Sequence, residues 1–241
     1  MYVIKEIFAT LQGEGHNAGT PAVFVRFAGC NLWSGREGTR GADAKENTAE
    51  CALWCDTDFV NGERVTLEDI AERVISAAGE AGMISGVPLV VFTGGEPLLQ
   101  LDRDLLGHVM SKMTGRSRRR PIFAIETNGR TALREEVREL LDWVCVSPKG
   151  NPGDLKVRKG DEFKVIYPAY DPAIFEGESD SLDFKYWYLQ ARASINAADG
   201  SQLPVGDTRL DNGVMREVAL YCIKNPRWRM SIQIHKLLNL P

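Results

Sequence analysis

The chain has 241 residues, 29 of them Lys or Arg against 33 Asp or Glu, for a net charge of −4, with 44% hydrophobic and 26% charged residues. That balance describes a folded globular protein with a core large enough for an enzyme pocket, and it excludes a disordered chain and a general nucleic-acid-binding surface. No apolar run approaches membrane-spanning length, the first residues carry no basic-then-apolar leader, and five cysteines, an odd number, suit a reducing compartment, so a cytoplasmic protein with no membrane contact is expected.

In chain order, Thr20–Phe27 reads as a strand that delivers Cys30 to a loop. Thr66 is placed to cap a helix over Leu67–Ala78, with Leu67, Ile70, Val74 and Ala78 on one face. The continuous apolar run Pro88–Phe92 suits a strand buried on both faces of a parallel sheet. Leu98–Met113 has helical spacing, and the dense basic run Arg116-Ser117-Arg118-Arg119-Arg120 reads as a solvated loop. Ile122–Ile125 is a strand, Leu133–Leu141 a helix, Trp143–Val146, Phe163–Tyr167 and Lys185–Leu189 strands, Val214–Ile223 a helix and Arg229–Ile234 a final strand. Such alternation implies an α/β fold, a closed or partly open barrel of parallel strands with helices packed outside.

Active sites gather at the carboxyl ends of parallel strands. Polar residues do fall there: Arg26, then Thr93-Gly94-Gly95-Glu96-Pro97, Glu126-Thr127-Asn128-Gly129, Ser147-Pro148-Lys149, Gln190, and Gln233 with His235. In Gly94-Gly95-Glu96-Pro97 the glycines let backbone approach a ligand, the acid can bond a ligand ammonium, and the proline suits the first turn of a helix. Three cysteines, Cys30, Cys51 and Cys55, can hold three irons of a four-iron cluster and leave the fourth iron free for S-adenosylmethionine. The same three thiols with His16 could instead make a structural zinc site in a binding protein without catalysis. Cys145 and Cys222 lie in apolar stretches and read as inert core residues.

Taken together, Gln12-Gly13-Glu14-Gly15, Arg26-Phe27-Ala28-Gly29-Cys30-Asn31-Leu32-Trp33, Trp54-Cys55-Asp56-Thr57, the Gly-Gly-Glu-Pro turn, Glu126-Thr127-Asn128-Gly129, Ser147-Pro148-Lys149 and Gln233-Ile234-His235-Lys236 resemble the 7-carboxy-7-deazaguanine synthase family. The cysteines and Gly-Gly-Glu-Pro are shared across the radical S-adenosylmethionine superfamily, whereas the Leu11–Gly15 opening and the His-Lys ending mark this branch. The resemblance implies a partial, open β/α barrel spanning residues 1–241 as one domain, with a surface insertion at about 31–50 and a modified loop at about 191–212. It also implies a ring contraction of 6-carboxy-5,6,7,8-tetrahydropterin to 7-carboxy-7-deazaguanine with loss of ammonia, initiated by a radical from the cofactor and with no catalytic side chain assigned.

The family's roles carry over by position. Cys30, Cys51 and Cys55 would hold a [4Fe-4S] cluster; Trp54, Gly95, Ser147, Pro148, Lys149 and Gln190 would hold S-adenosylmethionine. Leu11, Gln12, Gly13, Glu14, Arg26, Thr93, Glu126, His235 and the carboxylate of Pro241 would hold the pterin, and Thr57 would give its hydroxyl to Mg2+. An electron donor such as flavodoxin or ferredoxin and a homodimer complete what the family implies. A radical activase working on a partner protein is the nearer rival, and it would have no use for the His235 and Pro241 ending. Twenty residues separate Cys30 from Cys51 and three separate Cys51 from Cys55, where the superfamily commonly has three and two. The extra residue in the second gap changes which way one thiolate points, and Ala191-Arg192-Ala193 replaces a proline-containing run after Gln190.

Overall fold

A computed structural model of the chain describes residues 1–83, 89–114, 120–178, 181–194 and 209–241. Among them lie nine strands: β1 (Tyr2–Leu11), β2 (Pro21–Phe27), β3 (Glu63–Val65), β4 (Leu89–Gly94), β5 (Ile122–Thr127), β6 (Trp143–Val146), β7 (Lys159–Tyr167), β8 (Asp183–Ala191) and β9 (Trp228–Ser231). They form one open sheet in the order β3-β1-β2-β4-β5-β6-β7-β8-β9. From β2 to β9 every pairing is parallel, whereas β1 runs antiparallel to both β2 and β3.

The two faces of the sheet differ because successive side chains alternate. Val25, Phe92, Ile125, Val144, Phe163 and Leu189 point outward into the main core, against helices α2 (Leu67–Glu80), α3 (Arg103–Thr114) and α6 (Asn212–Lys224). The intervening residues Phe24, Val91, Ala124 and Trp143 make a smaller apolar floor on the inner face, joined by Phe8 stacked on Phe24 at 5.4 Å. Two residues further along these strands the inner face turns polar, with Arg26, Thr93, Glu126 and Cys145. Helix α2 starts where Thr66 and Asp69 cap each other, Asp69 N–H donating to Thr66 Oγ1 at 3.1 Å.

The fold departs from the sequence reading in four places. Strand β1 was not foreseen, and it makes the sheet's first edge antiparallel. Leu98–Met113 is not one helix: Pro97–Leu99 is a short 3₁₀ turn, and α3 begins only after Asp102, whose Oδ1 accepts Leu105 N–H at 2.9 Å and the Tyr2 hydroxyl at 2.8 Å. Leu133–Leu141 holds a single turn, α4 (Glu135–Arg138). The last strand ends at Ser231, so Gln233 and His235 sit instead at the start of a short helix, α7 (Ile234–Leu238). Of the basic run, Arg120 pairs with Asp142 at 2.7 Å, and residues 116–119 lie outside the described residues, as do 195–208 of the modified loop. No helix among the described residues is long and apolar enough to cross a membrane.

Candidate active site

The loop joining β1 to β2 reaches across the open side of the sheet. Gly13 C=O accepts Ile234 N–H at 2.9 Å, and Gly15 N–H donates to Ser231 Oγ at 2.9 Å, so the loop connects the β1–β2 edge to the far strand β9 and helix α7. Only glycines fit this crossing. A Cβ at Gly13 would lie 2.0 Å from His235 Nδ1, and one at Gly15, whose φ is +65°, would lie 1.9 Å from Glu162 Oε1.

The crossing presses Gln12 and Glu14 against the polar inner face. Gln12 Nε2 donates to Glu126 Oε1 at 3.0 Å, and Thr93 Oγ1 donates to Glu126 Oε2 at 3.0 Å. Glu14 takes an ion pair from Lys164 and a 2.7 Å hydrogen bond from Gln233 Nε2. Lys164 is only 4% exposed and also stands 4.0 Å from Glu126. Burial alone would raise the Glu14 carboxyl, but Lys164 and His235 with the two hydrogen bonds hold it well below the usual carboxylate range. The lysine responds reciprocally: burial pulls it down, and Glu14, Cys145, Glu126 and Glu162 more than offset this. Both members are therefore charged. Glu162, which accepts His16 N–H at 3.0 Å, is pushed up by burial, and burial lowers His235 so that its imidazole is neutral near pH 7.

A second group gathers at the same ends of the strands. Cys51 and Cys55 flank a short helical turn in which Cys55 N–H donates to Cys51 C=O at 2.8 Å. Positions four apart share one side of a helical turn, so the extra residue between them completes the turn and the two thiols stay on one side. Cys30 Sγ accepts Leu32 N–H at 3.4 Å. The three thiols raise or are raised by one another, and all three feel Lys149, but burial dominates and pushes Cys51 up to about 12 and Cys55 up to about 11. Lys149 donates to Ser147 Oγ at 2.6 Å and stands 5.6 Å over the Trp54 ring, its own pKa lowered by burial. Gly95 brings the Gly-Gly-Glu-Pro backbone against the cysteine loop, since a Cβ there would lie 2.1 Å from Gly29 O and 3.0 Å from Cys30 Cβ. Lys236 ties α7 to this loop through Asp56 at 2.5 Å.

No family model matches the chain. A 7-carboxy-7-deazaguanine synthase from Burkholderia multivorans is 40% identical, the alignment covering 100% of this chain and 99% of that one. The synthase of the same description from Caulobacter vibrioides is also 40% identical, with the same two coverages. The chain belongs to the 7-carboxy-7-deazaguanine synthase family. The fold agrees: the crystal structure of QueE from Escherichia coli superposes with a TM-score of 0.59 over 97% of this chain and 94% of that one, at 23% identity.

Membership in this synthase family brings a [4Fe-4S] cluster and S-adenosylmethionine, and the residues present fit the cluster. Three thiols that interact with one another, with backbone N–H groups of Leu32, Trp33 and Thr57 directed at Cys30 and Cys55, form a donor set with no fourth cysteine beside it. Among the described residues no three His, Cys, Asp or Glu side chains close on a single-ion centre. A four-iron cube instead takes each thiolate on a different iron. The zinc alternative loses its fourth ligand, because His16 is stacked against Tyr186 at 4.0 Å and Trp143 at 5.0 Å, two rings themselves 5.9 Å apart, on the inner face.

Several residues expected from the synthase pattern sit differently. Glu96, whose acid was expected to bond a ligand ammonium, has a fully buried carboxylate that accepts from Leu98 N–H at 3.0 Å, Thr127 Oγ1 at 2.7 Å and Asn128 N–H at 2.8 Å, so it fixes two loops to each other. Arg26 is paired with Glu6 at 2.7 Å on the neighbouring strand, and Pro241 is exposed. Gln190 accepts the Ser231 hydroxyl at 2.7 Å, which makes it part of the loop-crossing network. Leu11 ends β1 directly before Gln12, buried Pro148 lies between Ser147 and Lys149, and Thr57 follows the cysteine turn with its N–H toward Cys55. Cys145 is buried as expected, 3% exposed, and on the inner face it also lines a cavity of about 10 Å³ with Glu126 and Glu162. Sequence reasoning missed Lys164, Glu162 and Ser231. The signal for the first two was present, Glu162 directly before and Lys164 within the otherwise apolar run Phe163–Tyr167, two residues apart and so on one face of the strand.

Proposed function

We propose that this chain converts 6-carboxy-5,6,7,8-tetrahydropterin to 7-carboxy-7-deazaguanine with loss of ammonia, as a single-domain radical S-adenosylmethionine lyase. What supports this most is the loop crossing, which sets Gln12, Glu14, Thr93, Glu126 and Lys164 as one partly buried polar wall at the strand ends where the cysteines also lie. When bound, the cluster and S-adenosylmethionine supply the one-electron chemistry that begins the reaction. The chain's own residues then bind and orient. The oxygens of Glu126 and Glu14 are acceptors, matched to the N–H-rich edge of an aminopyrimidine, and the Arg26 guanidinium can exchange Glu6 for a substrate carboxylate. Neutral His235, packed on Gly13, is able to accept or hold one proton at the pocket wall. Gly95, Ser147, Pro148, Lys149 and Gln190 form the cofactor side, with Trp54 as its aromatic wall and Lys149 as the cation beside the thiolates of Cys30, Cys51 and Cys55.

Magnesium belongs to the same reading. Thr57 would contribute its hydroxyl, and the ion would orient the substrate carboxylate. A flavodoxin- or ferredoxin-like donor, a homodimer and a cytoplasmic setting follow from the family resemblance. The test is substrate binding and steady-state turnover with Glu126→Gln and Thr93→Val. The first replaces an acceptor of the wall and the second removes the hydroxyl that donates to Glu126 and holds it in place, so KM for the pterin rises about tenfold or more, while an unchanged KM in both would refute the assigned wall. Removing and restoring Mg2+ with a chelator should lower and recover turnover.

A further inference from the structure

The residues between Cys30 and Cys51 fold back onto the loop they interrupt. Helix α1 (Arg40–Glu46) begins with Arg40, which lies beneath the turn that carries Cys51 and Cys55. Arg40 Nη1 donates to Ala52 C=O at 2.6 Å and Nη2 to Cys55 C=O at 3.0 Å. The guanidinium is held in place on its other sides, by a two-pronged pair with Glu37 at 2.7 Å and 2.7 Å and by stacking 4.0 Å over the Trp33 ring. The turn needs such a partner. A helical turn ends with carbonyls that have no onward N–H, and here the segment from Glu50 stops at Trp54 without continuing into a helix. Asn47 Nδ2 adds a bond to Leu32 C=O at 3.2 Å, which ties the far end of the inserted segment back to the residues that follow Cys30.

We infer that Arg40 is a positioning residue for the cluster, acting through the Cys51–Cys55 turn, and that the 31–50 segment exists to hold it there. The inference rests on the reading of Cys30, Cys51 and Cys55 as the cluster ligands. The two gap lengths that depart from the common superfamily spacing then explain each other. The added residue between Cys51 and Cys55 makes a full helical turn with loose terminal carbonyls, and the longer first gap supplies the guanidinium that satisfies them. Lysine could not do the same work, because two carbonyls, a carboxylate and an indole face are met at once only by a planar fork. The arginine also sets a fixed positive charge beside Cys55, and charge near a cluster tunes its reduction potential.

The experiment compares wild type, Arg40→Met, Arg40→Lys and Cys55→Ala after anaerobic cluster reconstitution. Iron and sulfide content, release of iron to a chelator, and the potential and electron paramagnetic resonance spectrum of the reduced cluster are read, with circular dichroism of the metal-free protein as the folding control. Arg40→Met should release iron about tenfold faster and shift the potential negative, and Arg40→Lys should restore most of the potential but little of the retention. If Arg40→Met does not fold, Glu37→Gln, which frees one side of the guanidinium, should show a smaller change in the same direction. Wild-type retention, potential and spectrum in Arg40→Met, or in Glu37→Gln where only that variant folds, would overturn the inference. A Cys55→Ala protein that keeps a wild-type cluster would overturn the ligand reading, and the inference with it.

Discussion

Replacing Glu14 by Gln removes one charge from a pair that is almost wholly out of water. Lys164, 4% exposed, then keeps only Glu126 at 4.0 Å and the field of Glu162. Breaking a buried pair by deleting one partner costs about 3–5 kcal/mol, and the remaining Glu126 contact, worth on the order of 4 kcal/mol of raw attraction at an effective dielectric of about 20, softens that loss to about 2–4 kcal/mol. In a chain of this length such a loss lowers Tm by roughly 5–15 °C. The pH dependence has a definite sign. Glu14 has a folded pKa below its ordinary 4.5, so its contribution is present above that value and is lost as pH falls through the folded pKa. Lys164 has a folded pKa above 10.5, so its contribution is intact below that value and goes only as pH rises through the folded pKa. Urea unfolding of metal-free protein should therefore show the Glu14→Gln deficit at its widest near neutral pH and narrowing below 4.5. The double variant with Lys164→Met should cost less than the sum of the two singles. A deficit under about 0.5 kcal/mol at neutral pH, the level of an ordinary surface change, would refute the buried-pair account.

Glu96→Ala should destabilise the metal-free, cofactor-free protein by about 2–4 kcal/mol, because three donors lose their acceptor in a buried site; unchanged stability would restore Glu96 as a ligand-facing group. Glu162 has a folded pKa raised by burial, so its ionisation opposes folding as pH rises above 4.5. Glu162→Gln should accordingly be more stable than wild type at pH 8 and lose that advantage near pH 4, and denaturant midpoints at the two pH values decide it. Gly15→Ala should cost more than about 1 kcal/mol and raise KM for the pterin, since a left-handed backbone and the Glu162 carboxylate both oppose the methyl group; wild-type melting and KM would show that the loop does not cross as described.

Much of the site could be read from residue types alone. The cysteines, Gly-Gly-Glu-Pro and the polar strand ends stand in contiguous motifs, and their chemistry needs no tertiary detail to be recognised. What stayed hidden depends on where a backbone turns. Whether the gap between Cys51 and Cys55 misdirects a thiol is decided by a hydrogen bond between their own backbone groups, which spacing cannot show. Glu96 looks like a ligand acid until its three donors are seen. Strand β1 carries Lys5 and Glu6 in its middle and a register irregularity between Ile4 and Glu6, so its alternation is broken where a strand signal should be cleanest. Lys164 and Glu162 were legible by period but lie in no motif. Arg40 looked like part of a polar surface excursion, and only its two carbonyl partners give it a role.

The central claim is that the cysteine cluster and the acceptor wall serve one reaction on one substrate. It is tested most directly by anaerobic incubation of the reconstituted protein with S-adenosylmethionine, a reductant, Mg2+ and 6-carboxytetrahydropterin, followed by mass analysis of the products. Wild type should give 7-carboxy-7-deazaguanine and Cys30→Ala none. Deoxyadenosine formed without that product, or product that survives Cys30→Ala, would contradict the claim.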